Sequence, residues 1–206
     1  MAENKNYVQA ASLYVCGTPI GNLDDMSFRA IQVLKEVDLI AAEDTRRTIK
    51  LLNHFQIKNR LESYHEHNEN EKAEKLLQLL QEGMAIALVS DAGMPGISDP
   101  GYKLIKKAIE NNIEVIPVPG PTAAISALVV SGLDTSRFVF EGFLERKGKS
   151  REEQLNKLKS EERTIILYES PYRVKETLKD LERVLGDRRI ALVRELTKVH
   201  EEKYYG

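Results

Sequence analysis

The stretch MAIALVSDAGMPGISDPGYKLIKKAIEN, residues 84–111, decides the fold. It opens on a short apolar run, Met84–Ser90, with the length and make-up of a buried strand. A loop rich in glycine and proline follows. Gly101–Asn111 then reads as a helix, with Asp99 placed to cap it and Pro100 suited to its first position. Strand, loop and helix in that order make one repeat of an α/β protein.

The same order recurs on both sides. Upstream, Ser12–Cys16, Asp38–Ala42 and Arg60–Tyr64 read as strands. Ser27–Val37, Arg46–Phe55 and Glu69–Glu82 read as helices, the last carrying Ala73, Leu76, Leu77 and Leu80 on one stripe and ending at Gly83. Ile113–Val118 is a fifth strand. Alternation of this kind predicts a mostly parallel sheet covered on both faces. Three prolines within Pro117–Pro121 stiffen the chain and suggest a boundary, giving an N-terminal α/β domain over 1–118 and a C-terminal one over 119–206. In the second part, Thr122–Ser131, Lys149–Ser160 and Pro171–Leu185 read as helices. Arg137–Phe143, Thr164–Glu169 and Arg189–Arg194 read as strands, and another strand begins before Gly206. A last hairpin with an unpaired edge predicts that this second domain, expected to hold a mixed sheet, is incomplete.

Composition narrows the class. The 206 residues include 42% hydrophobic and 30% charged side chains, no Trp and a net charge of -2. That balance gives no global attraction to nucleic acid, so an RNA partner would need a local basic face. Arg146, Lys147, Lys149 and Arg151 form one short cluster, whose plainest reading is a solvated loop. One cysteine, Cys16, and a polar start over Met1–Tyr7 point to a reducing, cytoplasmic setting. No apolar run is long enough to span a bilayer. Cys16 ends an apolar strand and reads as a small core residue.

Ligands of open parallel sheets bind outside the carboxyl ends of the strands. Three unusual loops fall there: Gly17–Leu23, Asp91–Gly101 and Pro119–Ala124. Their glycines let the backbone approach a ligand, and their prolines hold the loops in shape beforehand. Neither the dinucleotide glycine fingerprint nor the phosphate-loop motif is present. His65 and His67 would share a face on a strand, yet no metal set with carboxylates at ligand spacing is evident, and no metal is expected. Acidic-basic pairs mark other strand ends, at Glu43-Asp44-Thr45-Arg46-Arg47, Glu169–Arg173 and Arg194–Lys198. Helix capping accounts for their small polar residues, whereas arginine beside carboxylate suits phosphate contact.

With the segments GTPIGNLDD, AAEDTRRT, SYHEHNE, VSDAGMPGISDPG, PVPGPTAAISAL, FEGFL, YESPYR and RELTK in this order between Leu13 and Lys198, the chain resembles the tetrapyrrole-methylase superfamily, and within it the RNA-modifying branch. The resemblance implies S-adenosylmethionine as methyl donor, held in a cleft between two α/β domains. It implies a cytidine ribose 2′-hydroxyl in small-subunit rRNA, or the 30S subunit, as acceptor, and a homodimer. Carried onto this sequence, the donor contacts are Pro19, Asp91, Ala92, Gly93, Gly96, Ile97, Ser98, Thr122, Ala123 and Tyr168. Met94 stands where the family more often has a small threonine, and the chain ends sooner after RELTK than the family does.

Transfer to a ribose hydroxyl calls for a base to take its proton. Glu43, Asp44, Glu169 and Glu195 are the unranked candidates. Arg46, Arg47, His65, His67, Arg173, Arg194 and Lys198 are the candidate substrate contacts. A C-methyltransferase acting on a corrin or porphyrin precursor shares the overall fold, and a non-catalytic binding module is the third reading.

Overall fold

A computed structural model describes residues 7–206, so all but the last residue of the polar start at Met1–Tyr7 lies outside it. Five strands form one parallel sheet: β1 (Ser12–Cys16), β2 (Leu39–Ala42), β3 (Leu61–Ser63), β4 (Ile86–Val89) and β5 (Glu114–Val118). Their order is β3-β2-β4-β1-β5, which places β1 between β4 and β5 and β4 beside β2. Helices α1 (Phe28–Glu36), α2 (Thr45–His54), α3 (Glu69–Gln81) and α4 (Tyr102–Glu110) alternate with them.

Alternate residues of a strand point to opposite faces, and each face has its own core. Tyr14, Cys16, Ile40, Ala42, Ala87 and Val89 pack with Ala30, Val33 and Leu34 of α1 and Leu52 of α2. Leu13, Val15, Leu39, Ala41, Ile86 and Leu88 pack with Ala73, Leu76 and Leu80 of α3 and Leu104 and Ala108 of α4. Each fully buried leucine or isoleucine stabilises the fold by roughly 1.5–3 kcal/mol. Burial pushes the Cys16 thiol up to about 12, so it stays protonated and packs as a small apolar group.

Local chemistry sets the helix starts. The Ser27 hydroxyl accepts the Ala30 N–H at 3.1 Å and caps α1, and the Asp44 carboxylate accepts the Arg46 N–H at 2.9 Å and caps α2. The start of α4 departs from expectation. It follows Gly101, at φ +149°, rather than Asp99 and Pro100, because the loop folds back on itself there. The Gly96 N–H donates to the Pro100 carbonyl, and a Cβ on Gly101 would lie 2.8 Å from the Gly96 nitrogen.

The chain divides into two units between Thr122 and Ala123. The second contains α5 (Ala123–Val130), β6 (Phe138–Phe143), α6 (Lys149–Leu158), β7 (Thr164–Tyr168), α7 (Val174–Leu185), β8 (Ala191–Arg194) and β9 (Glu202–Tyr205). β6 and β7 run parallel, whereas β8 and β9 run antiparallel, so both pairings of a mixed sheet occur, in two separate sheets. Ala124 and Leu128 of α5 cover Ile166, Phe140 and Tyr168 on one face of the β6–β7 pair. Leu155 and Leu158 of α6, with Leu181, Val184 and Leu185 of α7, cover Ile165 and Leu167 on the other. Pro171 does not open α7. A turn closed by the Arg173 and Val174 N–H groups on the Ser170 carbonyl comes first. Among the described residues no helix is long and apolar enough to cross a membrane.

Candidate functional site

The loops after β1, β4 and β5 are drawn together by the strand order. Thr18 and Gly93 exchange two backbone hydrogen bonds, at 2.9 and 3.0 Å, and the Thr18 hydroxyl donates to the Ser90 carbonyl at 3.0 Å. The Gly17 N–H donates to the Val118 carbonyl at 3.0 Å. Gly17 and Gly120 meet backbone to backbone: a Cβ on Gly17 would lie 2.7 Å from both the Gly120 Cα and the Met94 Sδ. Only glycine fits at either position, so the cradle of backbone is a packing requirement. Ser98 sits at φ +60°, a left-handed conformation that costs a non-glycine residue about 1 kcal/mol.

Beside this cradle, β2 brings its end to that of β4. The Asp91 N–H donates to Glu43 Oε2 at 3.1 Å, and the Asp44 N–H donates to Asp91 Oδ1 at 3.1 Å. Arg47 reaches Asp91 Oδ2 at 3.1 Å. Asp44 is grasped by Arg46 through two bonds, at 3.0 and 2.8 Å, and those bonds hold its carboxyl down at about 2. Glu43 moves the other way: burial first, then the neighbouring Asp91 and Asp44 charges, raise its carboxyl above the usual range. Asp99 is pushed up to about 6 by burial and then by the charges of Glu43 and Asp91. Four carboxyl groups, Glu43, Asp44, Asp91 and Asp99, thus share one region, the proton affinity of Glu43 and Asp99 being raised and that of Asp44 lowered.

His65 and His67 lie just past β3, in a turn rather than on the strand, with ring centroids 5.9 Å apart. Asn68 ties the turn by accepting the His65 N–H at 2.8 Å, and His65 Nδ1 is buried without a partner.

Ala123, Tyr168, Glu169, Arg173, Arg194, Glu195 and Lys198 belong to the second unit, whereas Pro19, Ala92, Ile97 and Thr122 lie in the first. The Tyr168 hydroxyl accepts the Ala124 N–H at 3.1 Å, where the Pro119–Thr122 segment has just entered α5, and its ring packs on Phe140 and Phe143. Glu169 is nearly enclosed. It accepts the Ser170 N–H at 2.6 Å, Arg173 at 2.8 Å and the Thr177 hydroxyl at 2.7 Å. Arg173 keeps a buried Nη1 without a partner. Arg194 pairs with Glu202 across β8 and β9, and Lys198 pairs with Glu195 at 3.1 Å in an exposed turn. Glu195 and Thr197 both have left-handed backbones there.

Several residues of this arrangement escaped the sequence reading. Asp99 looked like a cap and Ser90 like the end of a strand, and although the loops of Gly17, Thr18 and Gly120 stood out as ligand loops, their contacts with one another did not show. Arg151 looked like part of a basic surface cluster but is buried, bonded to Asp180, Thr177 and the Glu145 carbonyl.

The carboxyl edge of an open parallel sheet, here with converging loops and a carboxylate cluster beside them, is the place where open α/β proteins bind ligands. The family model of the Tetrapyrrole (Corrin/Porphyrin) Methylases matches residues 12–206, and the chain belongs to that family. It is 56% identical over 191 residues to the Ribosomal RNA small subunit methyltransferase I of Halalkalibacterium halodurans, covering 93% of this chain and 66% of that protein. It is 58% identical to the protein of that name from Synechocystis sp., covering 94% of this chain and 70% of the relative, and 52% identical to that of Thermotoga maritima, at 94% and 87%. The chain therefore spans about two thirds of the length of the Halalkalibacterium relative. A cobalt precorrin-4 methyltransferase structure superimposes with a TM-score of 0.66 at 16% identity, covering 95% of this chain and 84% of that one, a likeness of fold.

Proposed function

We propose that this chain acts as an S-adenosylmethionine-dependent methyltransferase on the ribose 2′-hydroxyl of a cytidine in small-subunit rRNA. The observation that carries the reading is the convergence of the Gly17, Gly93 and Gly120 loops beside Glu43, Asp91 and Asp99. The names of the relatives support the RNA acceptor.

The residues suit such a donor. Its sulfonium and ammonium groups are cationic, and among the described residues the carboxylates of Glu43, Asp91 and Asp99 outnumber the arginine paired with them, Arg47. Met94 and the exposed Ile97 offer apolar surface for a purine. Pro19, Asp91, Ala92, Gly93, Gly96, Ile97, Ser98, Thr122, Ala123 and Tyr168 are the proposed contacts. When bound, the donor supplies an electrophilic methyl group.

Of the four candidate bases, Glu43 is favoured. Asp44 is spent on capping α2 and on Arg46, Glu169 on three donors, and Glu195 on Lys198. Glu43 accepts one hydrogen bond, on Oε2, which leaves Oε1 to take the hydroxyl proton. Arg46, Arg47, His65, His67, Arg173, Arg194 and Lys198 are the proposed RNA contacts, in a homodimer acting on rRNA or the 30S subunit.

The test is to incubate the protein with isotopically labelled donor and, separately, 30S subunits, naked 16S rRNA or a porphyrin precursor. Label is expected on a cytidine ribose. Label on the porphyrin alone would overturn the acceptor assignment, and label on nothing would overturn the whole reading.

A further inference from the structure

A buried chain of hydrogen bonds runs through the second unit from α6 to the end of β7. Arg151, in the first turn of α6, is almost wholly enclosed, with its side chain 7% exposed. Its guanidinium donates to Asp180 at 2.9 Å through Nε, to the Glu145 carbonyl at 2.8 Å through Nη1, and to the Thr177 hydroxyl at 2.9 Å through Nη2. Because the Thr177 oxygen accepts from Arg151, its own proton is turned toward Glu169 Oε2, 2.7 Å away. Glu169, 9% exposed, follows Tyr168 directly. Its other oxygen holds the Ser170 N–H and Arg173.

Burying an arginine and a carboxylate this deeply is costly, and this arrangement gives each of them three partners. A hydrophobic pair would pack α6 on α7 at least as well. The polar chain does something packing cannot, which is to fix the direction in which the backbone leaves β7. We infer that Arg151 and Thr177 are positioning residues: acting through Glu169, they hold Tyr168 and the Ser170–Arg173 turn in the orientation that receives the methyl donor. The inference rests on the proposed role of Tyr168 as a donor contact.

Titration calorimetry with S-adenosylhomocysteine, the demethylated donor, tests it on the full chain. Thr177→Val removes the hydroxyl and keeps the shape. It is expected to weaken binding about tenfold or more, as for loss of a buried hydrogen bond to a charged group. Thr177→Ser, which keeps the hydroxyl, is expected to restore affinity to within about twofold. Arg151→Lys, whose three N–H donors sit on a single nitrogen and cannot span acceptors reached by three separate guanidinium nitrogens, is expected to behave like Thr177→Val. Steady-state methylation should show the loss mainly in KM for the donor, with kcat at saturation changed less. Thermal unfolding and far-UV circular dichroism of each variant report the folded fraction at the assay temperature.

A Thr177→Val protein that is folded and binds as tightly as the native one overturns the inference, as does weakening that Thr177→Ser fails to reverse. An affinity loss accounted for by the unfolded fraction also overturns it, since the network would then be structural only. Absence of any binding heat with the native protein overturns the donor assignment itself, a different result from unaltered binding in the variants.

Discussion

Two carboxyl groups of the site have raised proton affinities, and each makes a separate demand. Glu43 lies among Asp91, Asp44 and Arg47, with burial its largest perturbation. If it is the base, single-turnover methylation rises with pH through a value above the ordinary carboxylate range and then levels. Glu43→Gln should lower the rate by about 10²–10⁴ and flatten that rise. Asp44→Asn and Glu195→Gln, which alter groups already committed to Arg46 and Lys198, should leave the rate within about threefold. A Glu43→Gln enzyme with native rates would remove it from the mechanism. Asp99 concerns stability. Its folded-state value of about 6 exceeds that of an unfolded aspartate, so the folded form binds the extra proton. Its charge therefore disfavours the fold as pH climbs through about 6, and the penalty vanishes below the unfolded value near 4. Asp99→Asn, keeping an acceptor for Ser90, should stabilise the protein by about 1 kcal/mol at pH 8, after allowance for solvent screening, and by nothing measurable at pH 4. Denaturant titrations at the two pH values check this, and equal effects at both would contradict the assigned proton.

Among the elements, the loops after β1 and β5 touch because the strand order seats those strands side by side. Gly17→Ala or Gly120→Ala forces a Cβ to within 2.9 Å or less of facing backbone, so neither loop can keep its path. Overpacking of this kind costs about 1–3 kcal/mol, and donor binding should fall below detection. Gly83, at φ +102° with open space around it, is the control: Gly83→Ala should cost about 1 kcal/mol through the backbone alone and leave donor binding intact. Calorimetry and thermal melts on the three proteins separate the two effects. The contrast also marks what can be read from sequence. Strands such as Ser12–Cys16, and helices such as Glu69–Gln81 with its leucine stripe, follow from periodicity, which is a local property. The glycine-rich loops stand out by composition. Which loops touch depends on strand order, which no local pattern specifies, so the Gly17–Gly120 contact and the meeting of Glu43 with Asp91 stayed hidden. Arg151 misled for the opposite reason. Beside Arg146, Lys147 and Lys149 it looks solvated, and only its distant partners Thr177 and Asp180 explain its burial.

At the scale of the whole molecule, the stabilising apolar surface is unevenly spread. The first unit has two cores, one on each face of a five-stranded sheet, in which β1, β2 and β4 are buried along their full lengths. The second has two small clusters around β6 and β7, and no residue of β8 or β9 is buried. Local opening is easiest where few apolar contacts must break. Native-state hydrogen exchange should therefore find the slowest amides in β1 and β4, intermediate protection in β6 and β7, and the fastest strand exchange in β8 and β9. Arg194 and Lys198 lie on that last hairpin and the turn within it, so their proposed contact with RNA carries a further consequence. Substrate RNA should slow exchange in β8 and β9 by about tenfold or more at concentrations well above Kd, by mass action on the closed form. Protection confined to the first unit would place the RNA away from the hairpin and remove Arg194 and Lys198 from the interface.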